Sequence, residues 1–304
     1  MYLSYSGYAC HESCPFGYWR QYDDHTPTEK EDNRVGSLYG TSVGVLFEQF
    51  YEERIWKSKG AQEELLSRAE KTVDQVIKDQ LTPSKYRPAG VLKWKGDGPD
   101  QDPTAMYESR EELLADVRDA VVRGLKIIRF YRLLGAYARA EVRLDQIIRG
   151  HKIGGRADFI LYRTKPHLDW VILDGKGSKH RSRYSDPRQL MWYGALYLLK
   201  YGEIPDRLGF LYWRYDPPET IDWMEFSEES LLEFSGEVMK TVRQIDLAKR
   251  RMPKDNPVMA LEMAKKLFPA KPSRSACRFC PYATEQHCPL GAKVVQEINR
   301  GRKR

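Results

Sequence analysis

Apolar positions recur along the chain first with helical and then with strand spacing. Residues 40–56 carry Val43, Leu46, Phe47, Phe50 and Tyr51 on one side of a predicted helix. A second helix is predicted over 61–80, and the Gly, Pro and Asp residues of 82–106 predict a long loop. Ser109 and Glu112, at capping-box spacing, open a helix predicted over 109–134. Strands are predicted near 137–149, 155–162 and 169–175. Pro187 sits where a helix running to about Tyr201 would begin. Two further strands, 208–215 and 220–226, flank the turn Asp216-Pro217-Pro218. Ser227 is placed to cap a helix reaching about Lys249, with Glu228 and Glu229 in its first turn. Beyond it come a helix, a Cys-rich loop and a final helix. Residues 1–36 read as aromatic-rich and irregular.

This order predicts an α/β fold: a central mixed β-sheet flanked by helices, with a helical N-terminal elaboration and a Cys-rich C-terminal segment. With no internal repeat and no clear linker, a single domain over 1–304 is expected. Its parts are a Cys-bearing segment (1–36), a mainly helical region (37–135), a core (136–226) and C-terminal helices with the Cys-rich segment (227–304).

The strand pair around Pro166 carries the candidate chemistry. If 155–162 and 169–175 pair about that turn, residues whose numbers sum to 332 face each other, and Asp158 faces Asp174. Lys176 shares their face by alternation, and Asp174-Gly175-Lys176 is the only acid-x-Lys tripeptide in the chain. Paired carboxylates bind hard cations such as Mg²⁺, and such an ion can activate water and polarise a phosphate. A lysine beside them can stabilise charge on the phosphate or help deprotonate the water. Glu141, on the preceding strand, either adds a third carboxylate or is an ordinary surface acid.

Charge and composition narrow the partners. A formal net charge of +7 suits a polyanion. Between Lys176 and Arg188 lie Lys179, Arg181 and Arg183 as well, with His180, against Asp186 alone. Near the N-terminus Tyr8, Phe16, Tyr18, Trp19 and Tyr22 could stack bases or pack a core. No run of 18 apolar residues and no signal-peptide pattern is present, so a soluble cytoplasmic protein without membrane contact is expected. No Gly-x4-Gly-Lys-Ser/Thr loop is present, so any helicase would be a separate partner.

Five cysteines complete the set: Cys10, Cys14, Cys277, Cys280 and Cys288. Four thiolates closing one site fit an iron–sulfur cluster or structural zinc; free buried cysteines are the plainer reading.

Strand Asp158, strand Asp174-Gly175-Lys176, then helix Gln189-Leu190-Met191-Trp192-Tyr193 resembles the PD-(D/E)XK nucleases of the RecB type. The resemblance implies a restriction-endonuclease-like core and a metal-dependent DNA nuclease, an exonuclease on single-stranded ends. It implies that Asp158 and Asp174 hold Mg²⁺ or Mn²⁺, that Lys176 serves the attacking water, and that Gln189 and Tyr193 are accessory. Glu141 matches a Glu often found upstream of the first acid. Lys179, Arg181, Arg183 and Arg188 would meet the DNA. One element departs from the pattern. In Gly40-Thr41-Ser42-Val43-Gly44-Val45-Leu46-Phe47-Glu48 the family's ligating His is replaced by Gly44, leaving Glu48, a turn later, to reach the metal directly or through water. That gap keeps a second reading open: a nuclease-like DNA-binding or adaptor protein of recombination, repair or CRISPR adaptation. The cysteine arrangement resembles nucleases of the AddB class and the related CRISPR-associated exonucleases, with one Cys before the core and three after it. It implies a [4Fe–4S] cluster on Cys14, Cys277, Cys280 and Cys288, with Cys10 spare or replacing Cys14, and zinc as the other occupant.

Overall fold

The computed structural model describes residues 2–25, 33–83, 90–135, 137–163, 166, 168–181, 185–253, 256–278 and 280–302. The chain forms two compact units. One comprises 31–146 and 155–234; the other comprises 1–30, 147–154 and 235–304.

The first of these units is built on a five-stranded sheet. Its strands are β2 (Tyr137–Arg143), β5 (Arg156–Arg163), β6 (Asp169–Lys176), β7 (Arg207–Tyr212) and β8 (Ile221–Met224), in the order β2-β5-β6-β7-β8. The β6–β7 pair is parallel and the other pairs are antiparallel, so the sheet is mixed as expected. Alternation sorts the side chains onto two faces. Phe159, Leu161, Val171, Leu173, Leu211 and Trp213 join one core with α3 (Val35–Glu52), α4 (Ala61–Leu81) and α5 (Arg110–Phe130). The other face is met by α6 (Pro187–Tyr201), which contacts β6 and β7. All five residues of the predicted α3 face are buried. Each such side chain contributes about 1.5–3 kcal/mol of burial, more than any local propensity in that helix.

Local chemistry sets the element ends. Ser109 accepts from the Glu112 N–H and the Glu112 carboxylate accepts from the Glu108 N–H, so the capping pair closes α5 one residue further out than a regular box. The helix stops at Phe130, short of the predicted 134, because Arg132 takes a left-handed backbone (φ 53°). The predicted strand over 137–149 is two strands, β2 and β3 (Gln146–Ile148). Arg149 (φ 50°) and Gly150 (φ 79°) then make a two-residue turn, with the positive φ at both positions that a tight hairpin favours, into β4 (His151–Ile153).

The second unit holds a small sheet, β1-β4-β3, in which β1 (Tyr2–Leu3) runs parallel to β4. Residues 1–36, expected to be irregular, instead contain α1 (Tyr5–Ser13), α2 (Pro15–Tyr18) and a wider turn over Trp19–Asp23. The aromatics explain the difference. Tyr8, Phe16, Tyr18 and Trp19 are buried, with His11 edge-on to both Tyr18 and Phe268. They form a core and cannot stack bases. The C-terminal helices are α7 (Glu228–Arg250), α8 (Pro257–Leu267), α9 (Arg274–Arg278) and α10 (Pro289–Arg302). The two chain ends meet in this unit: Thr241 donates to Glu12 at 2.8 Å, and Lys249 pairs with Asp23.

Candidate active site

The β5–β6 pairs Phe159↔Leu173, Ile160↔Ile172, Leu161↔Val171, Tyr162↔Trp170 and Arg163↔Asp169 each sum to 332, the register expected about Pro166. Thr164, Lys165 and His167 of that turn lie outside the described residues. The ladder ends at Phe159↔Leu173, one step short of Asp158 and Asp174. Asp158 Oδ2 accepts from the Gly175 N–H at 2.7 Å, which fixes its carboxylate against the strand bearing Lys176.

Lys176 Nζ stands 2.5 Å from Asp174 Oδ2 and donates to Gln189 Oε1 at 2.9 Å. Gln189 Nε2 donates to Asp174 Oδ1 at 2.8 Å and to the Tyr193 hydroxyl at 3.4 Å. One amide of α6 therefore grips both the acid and the lysine of β6. Asp186 caps α6 through the Arg188 N–H and Pro187 takes its first turn, so the helix start that presents Gln189 is fixed locally. Asp174 Oδ2 is buried, and the Lys176 ammonium is the cation beside it.

Burial raises the Asp158 carboxyl well above the usual carboxylate range, and the charge of Asp174 raises it further. Burial also raises Asp174, while Lys176 pulls it down. A cleft of about 290 Å³ opens on the α3 side, lined by Gly44, Glu48, Glu141, Asp158, Gly175 and Trp213. Glu48 is raised as well, by burial first and by Glu141 next. A left-handed backbone at Glu141 (φ 51°) interrupts the β2–β5 ladder between Ala140↔Phe159 and Val142↔Ala157. Glu141 is thereby a cleft residue, with Arg156 at 2.8 Å from its carboxylate. A Cβ placed on Gly44 would meet nothing within 4 Å.

Three acids, Glu48, Glu141 and Asp158, line the cleft, and Asp158, Asp174 and Glu48 are all held above their ordinary pKa by burial first, a cost that a bound cation would relieve. Among the described residues, no group of three or more His, Cys, Asp or Glu side chains is drawn in closely enough to hold a metal ion as it stands.

The predicted DNA-contacting residues fare unequally. Arg181 is committed to Asp222 at 3.1 Å and lies over the Tyr215 ring at 4.3 Å. Arg188 is bound to Asp186 at 2.8 Å, and Lys179 is exposed. Arg183 lies outside the described residues, as do Lys303 and Arg304 of the basic tail.

In the other unit, Cys14, Cys277, Cys280 and Cys288 line one cavity of about 20 Å³, walled otherwise by residues such as Phe16, Ala276 and Ala283. Cys10 is not in its lining; burial pushes its thiol up to about 12. Burial also raises Cys280 and Cys288, with the neighbouring thiols adding to it. The donor set suits a thiolate-bound metal. The space is that of about one water molecule, so a cluster needs the side chains to swing outward, and a single ion needs less.

Three features escaped the sequence. Trp213 stacks on Phe47 at 4.5 Å and lines the cleft. Gly177 meets Gly40 so closely that a Cβ on Gly177 would lie 2.7 Å from Gly40 Cα. Arg214, nearly buried, donates from Nε to the Gly177 carbonyl at 2.8 Å and from Nη1 to Asp116 at 2.6 Å, with Tyr39 beneath it at 3.6 Å. The glycine directly after Lys176 was the one readable signal.

A mixed sheet with helices on both faces, carrying acid, acid and lysine at the end of one hairpin, defines a nuclease-type α/β core. The chain belongs to the PD-(D/E)XK nuclease superfamily, whose family model matches residues 2–285. No curated protein matches it. Among solved structures it is similar to a protein from Eubacterium rectale described as "Putative exonuclease", at TM-score 0.44 and 14% identity over 92% of this chain and 85% of that one. A second, SSO0001, is similar at TM-score 0.27 and 14% identity over 88% of this chain and 92% of that one. Family membership rests on the family-model match, since neither likeness is close enough to add to it.

Proposed function

We propose that this nuclease is a metal-dependent deoxyribonuclease of the RecB type that hydrolyses single-stranded DNA from its ends. One observation carries the reading: Gln189 bonds Lys176 and Asp174 together while Asp158 is locked to Gly175 beside them. Asp158 and Asp174 would hold Mg²⁺ or Mn²⁺, with Glu141 and Glu48 facing the cleft that Asp158 lines. When bound, the ion supplies positive charge at the scissile phosphate and acidifies a water. Lys176 presents its ammonium where negative charge grows on the phosphate. Gln189 restricts that ammonium to one direction, and Tyr193, behind it, closes the α6 side.

Cys14, Cys277, Cys280 and Cys288 would hold a [4Fe–4S] cluster that pins the N-terminal segment to the C-terminal one; zinc is the rival occupant. The operating partners on this reading are DNA and, for processive work, a separate helicase in recombination or CRISPR adaptation. Fluorescent single-stranded DNA with Mg²⁺ or Mn²⁺ tests the activity: cleavage by the wild-type chain supports it, and its absence with both metals sinks it. Gly44 favours a second reading, a DNA-binding adaptor with little turnover, because an open wall replaces a ligand there. Binding without cutting would select the adaptor.

A further inference from the structure

Beyond Lys176, Arg181 and Arg188 are paired with acids, whereas among the described residues Arg143 and Lys200 at the outer edge of the sheet are not. We propose that the β2 edge is the track on which the substrate strand lies, its phosphates held by Arg139, Arg143, Arg156 and Lys200 and its bases facing Tyr137 and Tyr201. This deepens the nuclease reading and rests on it.

Alternation aligns Tyr137, Arg139 and Arg143 along β2, with Glu141 between the two arginines, which therefore lie about 13 Å apart, roughly two phosphate steps of an extended strand. The line passes Glu141, so it leads into the cleft. Arg139, Arg143, Arg156 and Lys200 are all exposed. Their placement breaks a local rule. Arg143 and Arg156 are direct cross-strand partners, and like charges so opposed destabilise a sheet. A third cation joins them, since Lys200 donates to the Arg143 carbonyl at 2.5 Å. The nearby acids offset only part of this charge: Glu141 pairs with Arg156, and Glu52 lies 3.9 Å from Arg139. Among the described residues no acid pairs with Arg143 or Lys200. A polyanion laid along the edge would relieve the conflict.

The aromatics share the arrangement. Arg139 lies over the Tyr137 ring at 5.8 Å and Lys200 over the Tyr201 ring at 5.4 Å, with Tyr201 45% exposed. Basic groups interleaved with half-open rings are what a single strand needs, charge for its backbone and faces for its bases. A duplex would find no groove-sized element here.

The test uses the full chain in EDTA, so that binding is read without cleavage. Anisotropy of a labelled single-stranded oligodeoxynucleotide is followed through a salt series for wild type and for Arg139→Gln/Arg143→Gln/Lys200→Gln. The expected result is affinity reduced about 10-fold or more, with the log–log salt slope shallower by about 2, roughly 0.7 for each of three phosphate contacts. The melting temperature should hold or rise, because a like-charge pair has been removed. Unchanged affinity and slope would overturn the proposal, leaving the cations as guards of an edge strand. So would an affinity that falls only together with the melting temperature. Wild-type cleavage with Mg²⁺ is scored separately: its failure sinks the nuclease reading without altering what the binding series shows.

Discussion

Asp158 and Asp174 are held where ionising them is costly, and the sign of that cost is testable. Their folded pKa values lie above the unfolded ones, so their contribution to stability is fully present below the unfolded carboxylate pKa. It is lost as pH rises through the raised folded values. At neutral pH, in EDTA, Asp158→Asn should therefore raise the melting temperature, by about 2–4 °C for each kcal/mol relieved. Calorimetry at pH 7 and again below pH 4 checks it; an equal shift at both would refute the electrostatic cause. Gln189→Leu tests the amide that grips Lys176 and Asp174. Turnover should drop roughly 10–100-fold with KM little changed, read from steady-state cleavage of a fluorescent strand. At this scale much was legible. The sum about Pro166 gave the β5–β6 register as far as Phe159↔Leu173, because antiparallel pairing leaves little freedom once the turn is placed. Trp213 and Arg214 were not legible, since their roles depend on a partner strand and on Asp116, far away in sequence.

Helices with one continuous apolar stripe, such as α3 and α5, declare themselves, as does α6 with its Asp186-Pro187 start. Short elements do not. α1 and α2 are too brief for a periodic pattern, and their aromatics are shared with a core completed by Phe268, far along the chain. The turn from β3 into β4 is set by backbone angles at Arg149 and Gly150 rather than by hydropathy. The close approach of α3 to the end of β6 makes a prediction of its own. A methyl on Gly177 would strike the Gly40 backbone, which cannot give way as a flexible side chain can. Gly177→Ala should cost about 1–3 kcal/mol and lower cleavage as well, because the displaced strand carries Lys176. Urea unfolding and the cleavage assay together check this; loss of stability with full activity would show that Lys176 does not depend on the contact.

The chain as a whole brings its two ends into one unit that holds all five cysteines, four of them around one small cavity. The same four are those that the resemblance to AddB-class nucleases implies, one Cys ahead of the core and three beyond it. The occupant is a matter of composition: purified anaerobically, the protein should carry roughly four iron and four sulfide per chain, and stoichiometric zinc with no sulfide would replace the cluster by a single ion. The central claim, however, belongs to Asp158, Asp174 and Lys176. The most direct measurement of it is cleavage of labelled single-stranded DNA by wild type and Lys176→Ala in Mg²⁺ and in EDTA. Wild type should cut only with metal, and Lys176→Ala should be slower by roughly 10²-fold or more while keeping its melting temperature. Equal cleavage by the two proteins, or cleavage that persists in EDTA, would contradict the account.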